Sequence, residues 1–241
     1  WVSGFGGEGG NNTAYSGVSL TGGNKPAMMT VDKASCTRGY VQLGAAIGSG
    51  SNYNEFNSGL NSENPDCNYV SDFGGTSSAA PTVAGVVALM LEANPDLTWR
   101  DVKHILANTS DKIDPNRRVT LGDDENGENG IAQYEWETNS AGYEFHNWYG
   151  FGKVNAAAAV EFAKTYTADS LGEFVVTDYV SSGEINLDIT DGETTISTLS
   201  VTKPEGSNNQ VEYIKVYLQF THTFPFDIGI RLLSPDGTEI N

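Results

Sequence analysis

Hydrophobic and polar positions follow three different patterns along this chain of 241 residues. Residues 1–66 are dominated by Gly, Asn and Ser, and only short stretches such as Ala27–Asp32 resemble a strand. Between Ser77 and Tyr166 apolar residues recur at helical spacing. After Tyr166 the runs alternate at a period of two, with turn residues between them. The pattern predicts a loop-rich first part, a helical middle and an all-β end.

The first helix of the middle part has small or apolar residues on every side, in the stretch SSAAPTVAGVVALMLEA. A helix of this composition is typical of a buried core helix. Pro81 is tolerated only near a first turn, so the helix is expected to begin close to Ser77. Asn94 and Pro95 are expected to end it.

Two further helices are predicted from their caps. Thr98 and Asp101 form a variant of the capping box, which places the start of the second helix at Thr98. Asn155 is the candidate cap of the third helix, in NAAAAVEFAKTY. The spacing puts Trp99, Val102, Ile105 and Leu106 on the apolar side of the second helix, and Arg100, Asp101, Lys103 and His104 on the wetter side.

The end of the chain has the alternation of strands, in INLDITDGETTISTLSVTK and in the run that closes with IRLLSPDGTE. Ser234-Pro235-Asp236-Gly237 has the composition of a hairpin turn. We therefore expect two units, an α/β domain over residues 1–166 and a separate all-β domain over residues 167–241.

Composition and charge limit the classes of partner that the protein is expected to bind. Hydrophobic residues make up 38% of the chain and charged residues 18%, which is typical of a folded globular protein. The formal net charge is −18, from 31 acidic and 13 basic residues. Such a surface repels phosphate backbones and anionic lipids, so nucleic acid is not expected as a partner. The longest apolar run, Ala84–Ala93, is shorter than the ~20 residues of a membrane span.

The chain has two cysteines, Cys36 and Cys67. An isolated pair in a chain of this composition favours one disulfide in an exported protein, with two free thiols as the alternative. Zinc binding is disfavoured because no histidine lies near either cysteine and zinc sites usually need four clustered ligands.

Ser77 stands in the stretch FGGTSSAAPTVAG, where a glycine-rich turn leads into the first helix. The start of a helix has unpaired backbone N–H groups and a positive dipole, which stabilise an oxyanion formed next to a serine hydroxyl. A serine that merely caps the helix fits the same pattern. The residues by themselves therefore allow both a catalytic nucleophile and a structural cap.

The stretch GTSSAAPTVAG resembles the nucleophile motif of subtilisin-like serine proteases, with Ser77 in the nucleophile position. LEANPDLTWRDVKHILANTS and FHNWYGFGKVNAAAAV resemble the corresponding segments of the kexin and furin branch. IRLLSPDGTEI resembles the P domain, or homo B domain, that follows the catalytic domain in those enzymes.

The resemblance implies a subtilisin-like α/β domain with a parallel sheet, followed by an incomplete β-sandwich or jelly-roll P domain. It implies a serine-type endopeptidase that acts on protein or peptide substrates and is secreted or extracytoplasmic. Cys36 matches a half-cystine of kexin-like enzymes, and Cys67 lies at the end of an insertion over residues 48–66. Our hypothesis is that Cys36 pairs with Cys67 and closes the inserted loop.

In the subtilisin arrangement the triad runs Asp, His, Ser along the chain, whereas His104, His146 and His222 all follow Ser77. The triad Asp and His and the oxyanion Asn are therefore assigned to no residue here. We expect the chain to be a C-terminal part of a longer enzyme, inactive by itself. The alternative is a non-catalytic pseudo-protease or binding module.

The resemblance also implies Ca²⁺ in the intact enzyme, with no ligand assigned to this chain. The acidic loop Leu121–Gly130 offers hard oxygen ligands but lacks the spacing of an EF-hand, so it is interpreted as a surface loop. Arg117 and Arg118, the one adjacent basic pair, are a conceivable self-processing site or an exposed pair without a role.

Overall fold

The structure is a computed structural model, and it describes residues 1–7, 28–43, 55–59, 61–116, 119–120, 131–133, 135–206, 211–225 and 228–240. Its three helices are α1 (Thr76–Ala93), α2 (Trp99–Thr109) and α3 (Ala156–Thr165), with a short 3-10 helix at Glu55–Ser58. Its strands are β1 (Met28–Val31), β2 (Tyr69–Phe73), β3 (Val119–Thr120), β4 (Ile131–Gln133), β5 (Glu137–Thr138), β6 (Glu144–Phe145), β7 (Leu232–Leu233) and β8 (Glu239–Ile240).

The predicted helix boundaries are confirmed. α1 begins one residue before Ser77 and is followed by Asn94, whose N–H donates to the carbonyl of Met90. The capping box of α2 is complete, because the Thr98 hydroxyl accepts from the N–H of Asp101 and the Asp101 carboxylate accepts from the N–H of Thr98. The Asn155 side chain accepts from the N–H of Ala158 at the start of α3.

The main core lies where α1, α2 and α3 meet. Met90 and Ile105 are fully buried there, against the small side chains of Ala159 and Ala163 on α3. The alanines let the helix axes approach closely. A second, smaller cluster of Val41, Cys67 and Val70 lies beside β2, with Cys36 packed against it.

α1 is not buried on every side as its composition predicts. Only Ser78, Val86 and Met90 are buried, while Leu89 is 49% and Leu91 39% exposed. The reason is geometric, because among the described helices and strands α3 makes the main contact with α1, which leaves much of the surface of α1 exposed. Composition indicates how apolar a helix is and does not supply the partner that would bury it.

The prediction of which α2 side chains face solvent is also wrong in the first turn of the helix. Arg100 is 7% exposed and Asp101 is fully buried, whereas Trp99, expected on the apolar side, is 62% exposed. The two charged side chains are buried because each has partners. Arg100 forms an ion pair with Glu212, and the Asp101 carboxylate accepts hydrogen bonds from Thr98 and from the N–H of Asp169.

The described strands form four antiparallel pairs, β1–β2, β3–β4, β5–β6 and β7–β8. The predicted parallel sheet is not formed by the part of the chain that the structure describes, where the only parallel pairing is an isolated bridge between Ser3 and Lys153. Parallel strands require long crossover connections, whereas β5–β6 and β7–β8 are pairs of sequence neighbours joined by short turns.

The segment after α3 forms little regular structure. Within the described ranges 167–206, 211–225 and 228–240 the strands are β7 and β8, which pair through the predicted turn at Ser234–Gly237. The other alternating runs lie exposed and without strand partners in these ranges. Alternation marks two faces of a strand, and a sandwich forms only when one face is covered. The P domain therefore stays a prediction.

One helix among the described residues has the length and composition to cross a membrane, namely α1, with a mean hydropathy of 1.3 over 18 residues. This is weak evidence, because the core helix of a soluble protein meets the same criterion.

Candidate active site at the start of the first helix

The turn between β2 and α1 presents Ser77. Two glycines, Gly74 and Gly75, follow the end of β2, and Gly75 has φ 73° and ψ −164°, a backbone conformation that favours glycine. The chain therefore turns sharply from β2 into the axis of α1. Ser77 is the second residue of the helix and its side chain is exposed. Its own N–H lies in the first turn, where a helix leaves N–H groups without an acceptor of its own.

The neighbouring serine has the opposite environment. Ser78 is fully buried, and its one hydroxyl proton is shared between the carbonyl oxygens of Gly6 and of Gly75, the latter at 2.9 Å. Of the serine pair, Ser77 is thus the reachable hydroxyl and Ser78 is the structural one. No acidic side chain lies in the first turn of α1, so the positive end of the helix dipole faces Ser77 without a charge to neutralise it.

The segment 1–7 runs alongside this turn. It is anchored on its far side by hydrogen bonds from Ser3 to the carbonyl of Gly152 at 2.8 Å and from Val154 to the carbonyl of Ser3 at 2.9 Å. On its near side the N–H of Gly75 donates to the carbonyl of Gly7 at 3.0 Å. The segment therefore lies against the turn that precedes Ser77, and we call residues 1–7 the wall.

β2, which delivers the turn, is held on several sides. It pairs with β1, and the disulfide between Cys36 and Cys67 closes the loop that joins the two strands, the pairing proposed from the sequence. Two buried asparagines bind the strand from the loop. Asn57 Oδ1 accepts from the N–H of Ser71 at 2.9 Å, and Asn64 Nδ2 donates to the carbonyl of Tyr69 at 2.7 Å.

The three histidines have contacts away from Ser77. His104 lies between two phenol groups, with Nδ1 2.9 Å from Tyr166 Oη and Nε2 2.9 Å from Tyr143 Oη. His146 is buried and stacks on Tyr149, with ring centroids 4.8 Å apart. His222 contacts Phe224 and lies 3.7 Å from an oxygen of Asp191. The structure therefore assigns none of them as the base for Ser77.

Metal ligands do not cluster in the part of the chain that the structure describes, where no group of three His, Cys, Asp or Glu side chains could hold an ion. The acidic loop Leu121–Gly130 and the pair Arg117 and Arg118 lie outside the described residues. The calcium implied by the resemblance therefore stays a prediction, with no ligand assigned to a described residue.

The sequence missed the roles of Ser78, Asn57 and Asn64. The Ser77-Ser78 doublet holds a weak signal for Ser78, since two adjacent helical residues point about 100° apart and can therefore lie in different environments. The asparagines stand in a region without periodicity. Their role depends on where β2 lies, which local sequence does not specify.

The chain is similar to known proteins in sequence and in structure. Residues 15–152 match the family model of the Subtilase family, Peptidase_S8. The chain is 32% identical over 171 residues to a PC3-like endoprotease variant B of Hydra vulgaris, covering 70% of this chain and 21% of that protein. It is 33% identical to Proprotein convertase subtilisin/kexin type 5 of Homo sapiens (68% and 8%) and 34% identical to Neuroendocrine convertase 2 of Rattus norvegicus (68% and 24%). A crystal structure of serine protease of Aeromonas sobria aligns with a TM-score of 0.49 and 31% identity, over 59% of this chain and 24% of that one.

These findings identify the class of protein to which the chain is related, the serine proteases. More narrowly, it belongs to the Subtilase family, and its relatives include kexin and proprotein convertases. The chain spans a quarter or less of the length of the relatives named above.

Proposed function

We propose that this chain supplies Ser77 as the nucleophile of a kexin-like serine endopeptidase. One observation carries the proposal: Ser77 is an exposed hydroxyl in the first turn of α1, directly after the Gly74–Gly75 turn, in a chain of the Subtilase family. Its exposure allows a peptide carbonyl to reach Oγ. The N-terminus of α1 favours negative charge at that place.

In the proposed reaction Ser77 Oγ attacks the carbonyl carbon of the scissile peptide bond and its proton passes to a general base. The backbone N–H of Ser77 donates to the oxyanion of the tetrahedral intermediate. Collapse of the intermediate breaks the C–N bond, the base returns the proton to the leaving amine, and water then hydrolyses the acyl-enzyme.

The base is proposed to come from outside this chain, because all three of its histidines follow Ser77 and have other contacts. A serine without its base is a weak nucleophile at neutral pH, so the chain by itself is expected to be inactive.

The remaining assignments rest on the kexin-like relatives. They are a catalytic unit over residues 1–166 and a P domain over residues 167–241, peptide substrates, an extracytoplasmic location, and Ca²⁺ bound by residues not yet assigned.

The test is labelling with a fluorophosphonate, which reacts with activated serines. The intact protein that contains this chain is compared with its Ser77→Ala variant and with Ser62→Ala, a matched control that removes an exposed loop hydroxyl. We expect labelling of the intact protein and of the Ser62 variant, none of the Ser77 variant, and none of the isolated chain. A folded, mature intact protein that takes no label would contradict the enzyme and favour a pseudo-protease scaffold.

A further inference from the structure

One side of the first two turns of α1 donates to three consecutive carbonyl groups of the segment 1–7. Gly75 N–H reaches the carbonyl of Gly7 at 3.0 Å, the Ser78 hydroxyl reaches that of Gly6, and the Thr82 hydroxyl reaches that of Phe5 at 3.4 Å. The donors stand at intervals of three and four residues, the spacing of one helix face. The two chain segments therefore meet through hydrogen bonds and not through side-chain packing alone.

The approach is close because the segment is glycine-rich where it touches the helix. A Cβ on Gly4 would lie 2.5 Å from the carbonyl oxygen of Ala79, and a Cβ on Gly6 would lie 2.7 Å from that of Gly75. Both distances are shorter than a carbon and an oxygen allow. The absent side chains bring the backbone of the segment within reach of the Ser78 hydroxyl.

Ser78 differs from the other two donors because it bridges two segments. Its hydroxyl reaches the carbonyl of Gly6 in the wall and the carbonyl of Gly75 in the turn itself, at 2.9 Å. Thr82 lies one turn further along and, besides Phe5, reaches only the carbonyl of Ser78 within its own helix. Ser78 is thus the buried side chain that connects the wall to the turn that carries Ser77.

We propose that Ser78 is a positioning residue of the proposed active site, which keeps the turn and the wall at a fixed distance and so sets where Ser77 presents its hydroxyl. The proposal rests on the nucleophilic role of Ser77. Without the Ser78 hydroxyl, the carbonyl of Gly6 loses this donor, and the hydrogen bonds described between the wall and the start of α1 are reduced to those of Gly75 and Thr82, so the turn is expected to shift against the wall. A shift of about 1 Å at a reacting atom can lower a rate about a hundredfold.

The test compares Ser78→Ala with Thr82→Val in the intact protein. Each variant removes one hydroxyl that donates to the same wall, so losses of stability are matched as far as the chain allows. We expect the second-order rate constant for fluorophosphonate labelling to fall about tenfold or more in the Ser78 variant. It is expected to change less than about twofold in the Thr82 variant, at thermal midpoints within a few degrees of each other.

A second readout does not depend on activity. Hydrogen exchange of a peptide that covers residues 72–80 is expected to be about tenfold faster in the Ser78 variant than in the Thr82 variant. Equal labelling rates in the two variants, or equal exchange in this peptide, would overturn the positioning role. If the unmodified protein takes no label, the proposed function fails by itself, and the exchange experiment alone decides whether Ser78 holds the turn.

Discussion

Arg100 and Glu212 are 112 positions apart in the chain and form an ion pair, in which Arg100 Nε lies 3.0 Å from a carboxylate oxygen. Arg100 also donates to the carbonyl of Gly172, and its guanidinium lies 5.2 Å from the ring centroid of Phe174. Arg100, in the first turn of α2, therefore binds the chain after α3 at three places. Arg100 is the residue that connects them.

A double-mutant cycle tests this connection. Arg100→Gln is expected to lower the free energy of unfolding more than Glu212→Gln, by about 1–2 kcal/mol, because it also removes the donor to Gly172. The double variant is expected to cost less than the sum of the single variants, with a coupling of about 1 kcal/mol since Glu212 is half exposed. Urea unfolding measures all three. Strict additivity would show that the pair contributes nothing.

Acid is expected to weaken the same contact. Hydrogen bonds from Arg100 hold the pKa of Glu212 below its ordinary value, against a smaller opposing effect of burial. A lowered carboxyl pKa in the folded protein adds stability above the unfolded-state pKa, and that stability is lost as the pH falls through the folded-state pKa. The free energy of unfolding should therefore fall as the pH drops through and below the ordinary glutamate pKa of about 4.3, and less steeply in Glu212→Gln. Equal slopes in chemical denaturation series would contradict this.

The disulfide is expected to be the largest single contribution to the stability of the region around β2. Cys36 and Cys67 close a loop with a sequence separation of 31, for which chain entropy predicts about 3–4 kcal/mol. Replacing both cysteines by alanine should lower the free energy of unfolding by about that amount. It should also speed hydrogen exchange in β1 and β2. A loss below about 1 kcal/mol would indicate that the loop is held by its buried asparagines instead.

Two glycines in different surroundings, one in the wall and one in the interior of α1, allow a pair of alanine substitutions with opposite expected effects. Gly6→Ala places a methyl group 2.7 Å from the carbonyl oxygen of Gly75 and should destabilise the protein by about 2 kcal/mol and slow labelling of Ser77. Gly85→Ala lies in the interior of α1 with open space around it, so it should stabilise the helix by about 0.5–1 kcal/mol. Thermal denaturation of both variants checks the signs. Destabilisation by Gly85→Ala would indicate that another part of the intact protein covers this side of α1.

The helices and the position of Ser77 could be predicted from the sequence because their signals are local. Thr98 and Asp101 stand three residues apart, and Asn155 stands next to the helix it caps. The same reasoning placed Arg100 and Asp101 on the wet side, and it failed there. The partners that bury them, Glu212 and Asp169, are separated from them by 112 and 68 positions.

The side-chain contacts around the site could not be predicted from the sequence either. The motif identifies Ser77 as the candidate nucleophile, whereas the bridging role of Ser78 depends on where the segment 1–7 lies, and that is a long-range result of folding. The β segment shows the converse. Its alternation is strong, yet pairing within the described residues is limited to β7 and β8. Alternation predicts that one face of a strand is apolar and needs to be covered, but it does not identify the element that packs against that face.

The uncovered surface of α1 also bears on how the isolated chain behaves in a test tube. Leu89 and Leu91, which point to different sides of α1, expose apolar side chains to water, while the molecule as a whole carries a formal charge of −18. Mutual repulsion keeps molecules of one sign of charge apart until dissolved salt screens it over about 10 Å or less. The isolated chain should therefore stay soluble in dilute buffer and aggregate in concentrated salt.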